Sequence, residues 1–328
     1  MTMIRKKNGS AAFGSTPRRV IAFLMALVAL AAMSEAALRF GLGLGNPILI
    51  ALDPACGYIV KPDQNVVRFF GRTYINHYGM RSDEVPLVHR PDTLRLLFLG
   101  DSITYGTSRV NQSRIFTEIL HRELPLIVHR PVEVLNASAS AWAPDNELSY
   151  IRSRGIFQSD IVLLVLNDGD VAQPRATIAD IGDDLPQRRP TTAIGELYTR
   201  YIRPRIFYGG MRRDAGDSPV VNTDNTIREN LADLDSIEKL VTGSGARLLI
   251  VYVPFRRDVP EQSAAAQSIL LAWTNAHRVA LLDLTSAELI YSCEEITIDH
   301  GWHFNAKGHR IVAQAIEKAW PIVAGNEH

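Results

Sequence analysis

The stretch Leu94-Arg95-Leu96-Leu97-Phe98-Leu99-Gly100-Asp101-Ser102 constrains this chain more than any other. Six mostly apolar residues running straight into Gly read as a strand buried on both faces, the kind found in parallel sheets. Residues 111–124 follow with Ile115, Phe116, Ile119 and Leu120 at helical spacing, and Pro125 closes the pattern. Ser102 therefore stands at a strand-to-helix turn on the carboxyl edge of a sheet, where the ligands and reacting groups of open α/β sheets collect. A serine there presents its hydroxyl to a cleft and its own N–H to a developing oxyanion. Gly-Asp-Ser alone also fits a tight turn in which Ser or Asp merely caps the next helix.

From residue 94 onward the pattern alternates strand and helix. Apolar runs recur at 94–99, 132–136, 161–166, 247–253 and 279–284, with helical patterns at 111–124, 146–155, 226–241 and 262–277 and a last helix over 306–320. Five strands alternating with helices predict a doubly wound parallel sheet, an α/β fold with helices on both faces.

The far end of the chain supplies a possible partner for the serine. Asp299-His300-Gly301-Trp302-His303-Phe304-Asn305-Ala306-Lys307-Gly308-His309 puts a carboxylate and imidazoles in one loop just before the last helix. Serine is a poor nucleophile at neutral pH, so a neighbouring histidine must take its proton, a third group must orient that histidine, and donors must meet the oxyanion. Gly-Asp-Ser and His-x-Asn-x-x-Gly together resemble the SGNH/GDSL hydrolase superfamily. The resemblance covers roughly residues 94–320, with a looser lead-in from about residue 55.

That resemblance implies a flavodoxin-like three-layer α/β/α fold with strand order 2-1-3-4-5. It implies Ser102 as nucleophile, His303 as base and Asp299 as the orienting carboxylate, with His300 the alternative base and His309 a residue that packs or caps at the start of the last helix. Asp299 lies four residues before His303, where the family spaces the pair by three. The oxyanion donors would be the N–H groups of Ser102 and Ala141 and the side chain of Asn167. Ala141 stands where the family has Gly, which keeps the donor only if φ there is negative. Asn167-Asp168 matches the family's Asn-Asp pair, and a register with Gly169-Asp170 at that place would leave no amide.

The amino terminus carries Arg5, Lys6, Lys7, Arg18 and Arg19 and then an unbroken apolar run over residues 20–33. Fourteen residues are short for a membrane span, which needs about 20, and match a signal-peptide core. Ser34-Glu35-Ala36 offers small residues for cleavage, yet apolar character continues past it. The reading favoured is an uncleaved anchor, with a cytoplasmic basic tail at 1–19, a signal anchor or transmembrane helix at 20–40, a lead-in at 41–93, and a hydrolase domain at 94–328 outside the cytoplasm. The lead-in contains Asn76-His77-Tyr78-Gly79-Met80-Arg81, similar to a segment before the core of membrane-anchored relatives. Gly79 is expected at positive φ, and Asn76 and Arg81 receive no catalytic role.

Lys and Arg balance Asp and Glu at 35 each, so no nucleic-acid footprint is present. The two cysteines, Cys56 and Cys293, show no metal spacing, and an exported compartment permits a bridge between them. Residues 171–225 form a long insertion rich in Arg and Tyr, expected to rise beside Ser102 either as a substrate lid or as a solvated excursion. The combined reading is an anchored serine esterase that cleaves or transfers a small acyl group, most simply acetyl, on surface or periplasmic carbohydrate, with no cofactor or metal. Alternatives are a lipid or lysophospholipid esterase, and a non-catalytic polysaccharide-binding or assembly component with the same fold.

Overall fold

The computed structural model describes residues 16–181, 186–207, 223–254, 260–288, 291–298 and 303–324. Two antiparallel hairpins come first: β1 (Ile50–Asp53) with β2 (Gly57–Val60), and β3 (Gln64–Arg68) with β4 (Gly71–Ile75). The central sheet is made of β5 (Leu94–Gly100), β6 (Val132–Ser138), β7 (Ile161–Asn167), β8 (Arg247–Val253) and β9 (Ala280–Asp283). All its pairings are parallel and its order is β6-β5-β7-β8-β9, the 2-1-3-4-5 order implied by the resemblance.

Alternate residues of β5 serve two cores. Leu94, Leu96 and Phe98 pack with the helices Phe116–Val128 and Ala306–Lys318. Leu97 and Leu99 face the other way, toward the helices Pro144–Arg154, Thr223–Gly243 and Pro260–His277. A strand covered on both faces must be apolar on both, which is why β5 and β7 are buried at every position. Arg95 is the exception in type. Its guanidinium donates to Glu133 (2.7 Å) and to the carbonyls of Phe157 (2.7 Å) and Pro86 (2.8 Å), so the buried charge is paired and hydrogen-bonded. The helix expected to close at Pro125 runs on to Val128. Pro125 falls in its last turn, where it has no N–H to bond one turn back, and the helix ends three residues later.

The lead-in over residues 41–93 builds both hairpins. Polar residues disguised β3: Gln64 and Arg68 point inward, beside Val66. Tyr58 on β2 donates to Ser140 O, Trp142 Nε1 donates to Tyr58 O (3.2 Å), and Asn146 Nδ2 donates to Cys56 O (3.0 Å). The lead-in is thereby fastened to the loop after β6. Asn76 Oδ1 accepts the N–H groups of Tyr78 and Met80, and Gly79 has φ of 79°, with Val60 O only 2.6 Å from where a Cβ would sit. That turn delivers Arg81, whose N–H joins Asn136 O on β6 (3.0 Å). Its buried guanidinium donates to the carbonyls of Tyr105 (2.8 Å), Thr107 (2.7 Å) and Val110 (2.7 Å). Arg81 is therefore a structural clamp on the segment that follows Ser102.

Helix Thr16–Ala36 continues through a π-helical turn, Ala37–Gly41, and is long and apolar enough to cross a membrane; Pro17–Gly41 has a mean hydropathy of 2.2, and residues 17–33 are exposed. Glu35, inside the sequence considered for cleavage, takes part in the fold through the N–H groups of Ala193 (2.8 Å) and Ile194 (3.0 Å). The basic tail over residues 1–15 lies outside the described residues. No bridge joins Cys56 and Cys293, because each thiol sits with its own neighbours. Cys56 is buried beside Ser153 and Arg154, where burial pushes its thiol up to about 11, and Cys293 lies against Thr297.

Candidate active site

Asp101 opens the short helix Ser102–Tyr105 as its N-cap, its Oδ1 accepting the N–H of Ile103 (2.8 Å). The sequence's two readings of Gly-Asp-Ser are thus compatible: the Asp caps and the Ser is released. Gly100 is required because a Cβ there would lie 2.3 Å from Thr104 Oγ1 and 2.9 Å from Val165 O. Without that close approach the turn would open and Ser102 would move.

At the other end of the chain, Asn305 caps the helix Ala306–Lys318 by accepting the N–H groups of Lys307 (2.8 Å) and Gly308 (3.1 Å). Its amide donates to the carbonyls of Glu295 (2.9 Å) and Thr297 (3.2 Å). Thr297 pairs with Phe304, and Ile298 N–H meets His303 O (2.9 Å), so His303 sits on a small two-armed loop. Gly308 lets that loop pack on the helix start, since a Cβ would be 2.4 Å from Ile296 O. These contacts explain why Asn and Gly stand two and five residues after His303.

The two ends meet. His303 Nε2 lies 3.1 Å from Ser102 Oγ, within hydrogen-bond reach, and both residues are partly exposed. Asp299 and His300, the expected orienting carboxylate and the alternative base, lie outside the described residues. His309 is fully buried, stacked on Phe116, with Nδ1 accepting the N–H of Phe116 (3.3 Å); burial lowers its pKa to about 3, so it is a neutral packing residue.

Ala141 is in the left-handed region, with φ of 62°. The sequence condition of a negative φ is not met: the chain holds an Ala in the conformation a Gly would take, at a steric cost of about 1 kcal/mol. Its surroundings enforce this, with Ser140 O held by Tyr58 and Ala141 O by Gln173 Nε2 (2.6 Å). The Asn167 amide donates to Asp101 Oδ2 (3.0 Å), next to Ser102. The turn beyond Asn167 is closed by Gly169 N–H to Asn167 Oδ1 (2.7 Å) and by Asn167 N–H to Asp170 Oδ2 (2.8 Å). Asp168 accepts from Tyr252 on β8.

Behind the site lie three buried carboxyl groups, Asp101, Asp170 and Glu147, none of which sequence reasoning assigned beyond capping. Burial raises all three, and the proximity of Asp101 raises the other two further. For Asp101 the rise is opposed by Ile103 N–H, by His303 and by the Asn167 amide. Both carboxylate oxygens of Glu147 are buried with no hydrogen-bond partner among the described residues. Burial, with Asp101 close by, holds Glu147 and Asp170 well above the usual carboxylate range. Asp170 had a signal in sequence, an acid three residues after Asn167 in a turn; Glu147, in the first turn of the helix Pro144–Arg154, reads from sequence as an ordinary first-turn acid.

The insertion divides into described pieces. Its start packs beside the site, through Gln173 on Ala141 O and Ala176 on Asn146. Residues 186–207 make hydrogen bonds to the lead-in and to the end of the amino-terminal helix, away from the lid role expected for residues 171–225. Residues 208–222 lie outside the described residues.

No family model and no curated protein matches the chain. Among solved structures it is similar to TesA, at 14% identity over 70% of this chain and 99% of that one, with a TM-score of 0.46. It is similar to a lipolytic G-D-S-L family protein from Veillonella parvula (14% identity, 69% and 98% covered, TM-score 0.44) and to the acetyl xylan esterase AlAXEase (14% identity, 69% and 99% covered, TM-score 0.45). At 14% identity the likeness is one of fold alone, that of an α/β chain with a five-stranded parallel sheet.

Two outcomes are expected. Ala141→Gly relieves a left-handed alanine and should raise stability by about 0.5–1 kcal/mol in urea unfolding while leaving ester turnover intact; a loss of stability would contradict the strained backbone. Glu147 binds its proton more tightly folded than unfolded, so its contribution is present at acid pH and is lost as pH rises through the raised folded value. Glu147→Gln should therefore gain stability over wild type as pH is raised above the ordinary glutamate range toward the raised folded value, by about 1.4 kcal/mol for each pH unit over which the difference acts. Parallel melting curves for the two proteins across that range would contradict it.

Proposed function

We propose that this chain is a serine ester hydrolase of the SGNH type, with Ser102 as nucleophile, His303 as base and Asp299 as the carboxylate that orients it. The observation that carries the reading is the 3.1 Å approach of His303 Nε2 to Ser102 Oγ at the carboxyl edge of the sheet. In this reading Nε2 takes the hydroxyl proton as Oγ attacks the ester carbonyl. The tetrahedral oxyanion in this reading meets the N–H groups of Ser102 and of Ala141, which keeps the positive φ a glycine would take and so a glycine's N–H direction, and the amide of Asn167, which also donates to Asp101. The histidine then gives its proton to the leaving alcohol, and the ester bond breaks to leave an acyl-serine. Water, or another alcohol if the reaction is transfer, attacks that acyl group with the same histidine as base. Holding the proton on Nδ1 requires an acceptor there, the role assigned to Asp299.

The acyl group in this proposal is small, acetyl above all, and the alcohol a carbohydrate of the cell surface or periplasm. Residues 138–141 and 167–170 at the sheet edge are small or polar, and Ile103 and Trp142 are turned into the core. A long acyl chain gains about 0.8 kcal/mol per buried methylene only where an apolar wall receives it. A lipid ester is the second reading, favoured by the exposed apolar helix at the amino terminus.

Ser102→Ala and His303→Ala should each lower kcat on an acetyl ester by several orders of magnitude, and the double variant should be no worse than either, because nucleophile and base act as one unit. Across an acyl series kcat/KM should be highest for acetyl and fall by butanoyl. An optimum at about eight carbons or more would replace the carbohydrate reading with the lipid one. Full activity in His303→Ala with loss in His300→Ala would reassign the base.

A further inference from the structure

The described part of the insertion forms one helical run over residues 193–207: an α-turn Ala193–Glu196, a π-helical stretch Leu197–Ile202 and a last α-turn Arg203–Phe207. Its start is attached to the apolar amino-terminal helix. The Glu35 carboxylate accepts the N–H groups of Ala193 and Ile194, Arg39 donates to Glu35 (2.7 Å) and to Thr191 O (3.3 Å), and Thr192 supplies the N-cap. Its inner side is fixed by Glu196, which is buried and accepts from Arg68 (2.6 Å) and from Gly45 N–H.

Its outer side is apolar. Ile194, Tyr198, Ile202 and Ile206 recur every fourth residue and are 39%, 47%, 39% and 65% exposed. Four-residue spacing keeps side chains on one helical face. The tip of the β3–β4 hairpin joins this locality, since Phe69 N–H meets Leu42 O (3.0 Å) and the Phe69 ring packs edge-on against Tyr201. Phe70 at that tip is 82% exposed and Phe40, at the end of the apolar helix, 85%. Arg203 and Arg205 are exposed within the run.

We propose that residues 193–207 lie in the plane of the bilayer surface, with Ile194, Tyr198, Ile202 and Ile206, flanked by Phe40 and Phe70, set into the headgroup layer of the membrane that Thr16–Ala36 spans. The occupant follows from continuity: a bilayer that takes up the exposed helix brings its surface to residues 35–41, and the run starts on Glu35 itself. An amphipathic helix with an apolar stripe and exposed cations suits that interface, the cations meeting anionic lipid phosphates. The catalytic domain would then be held in one orientation over the membrane. The inference rests on reading Thr16–Ala36 as a membrane anchor.

The test uses the full chain reconstituted in phosphatidylcholine–phosphatidylglycerol nanodiscs, with Cys293→Ser as background. A nitroxide is placed in turn at Ile202→Cys, at Ile206→Cys, at Leu24→Cys within the apolar helix, and at Leu240→Cys on the exposed side of the helix Thr223–Gly243. Collision with oxygen relative to a water-soluble nickel chelate should be several-fold higher at 202 and 206 than at 240, and highest at 24. If 202 and 206 match 240 while 24 is in lipid, the interfacial helix is overturned and the anchor stands. If 24 is also aqueous, the anchor reading falls and this inference with it. Strong label–label coupling at 202 with aqueous accessibility would assign the face to a second copy and overturn the proposal.

Discussion

A single contact, His303 Nε2 to Ser102 Oγ, joins residues 201 positions apart, and the architecture is arranged around making it. Neither residue is held by its own neighbours alone. Ser102 is placed by an Asp101 cap, by the close packing of Gly100 against Thr104 and Val165, and by three carbonyls downstream gathered on the Arg81 guanidinium. His303 is placed by Asn305, which caps the last helix on one side and ties down residues 295–297 on the other. A parallel sheet makes the meeting possible, because it brings every strand-to-helix turn to the same edge.

The lead-in has a larger part than a linker. Tyr58 holds the loop that carries Ala141, Arg81 holds the loop after Ser102, and Arg68 holds Glu196 of the insertion. Residues between the apolar helix and the sheet therefore touch the candidate oxyanion loop at one end and the helix terminus at the other. The left-handed alanine shows the strength of this framing. Its conformation persists without glycine because Tyr58 and Gln173 fix the peptides on either side.

The sheet was legible because its central strands β5 and β7 are buried on both faces and so nearly uniform in hydropathy, and because Gly-Asp-Ser and His-x-Asn-x-x-Gly are local constraints of packing and capping. The hairpins were hidden because β3 turns Gln64 and Arg68 inward, which erases the apolar alternation. Pro125 does not stop its helix at Leu124, and the helix ends three residues past it, at Val128. The expected Cys56–Cys293 bridge rested on compartment alone, and the partners of a thiol are set by the fold. Glu147 and the docking of residues 193–207 depend on tertiary neighbours far away in sequence, for which no local pattern exists.

The central claim is that Ser102 is activated by His303. The most direct measurement is mass spectrometry of the full chain after brief exposure to a fluorophosphonate, which captures only a serine whose proton is being removed. The account predicts one adduct, on the peptide containing Ser102, forming rapidly in wild type and at a rate lower by orders of magnitude in His303→Ala. No adduct on Ser102, or one that forms equally fast without His303, would contradict it.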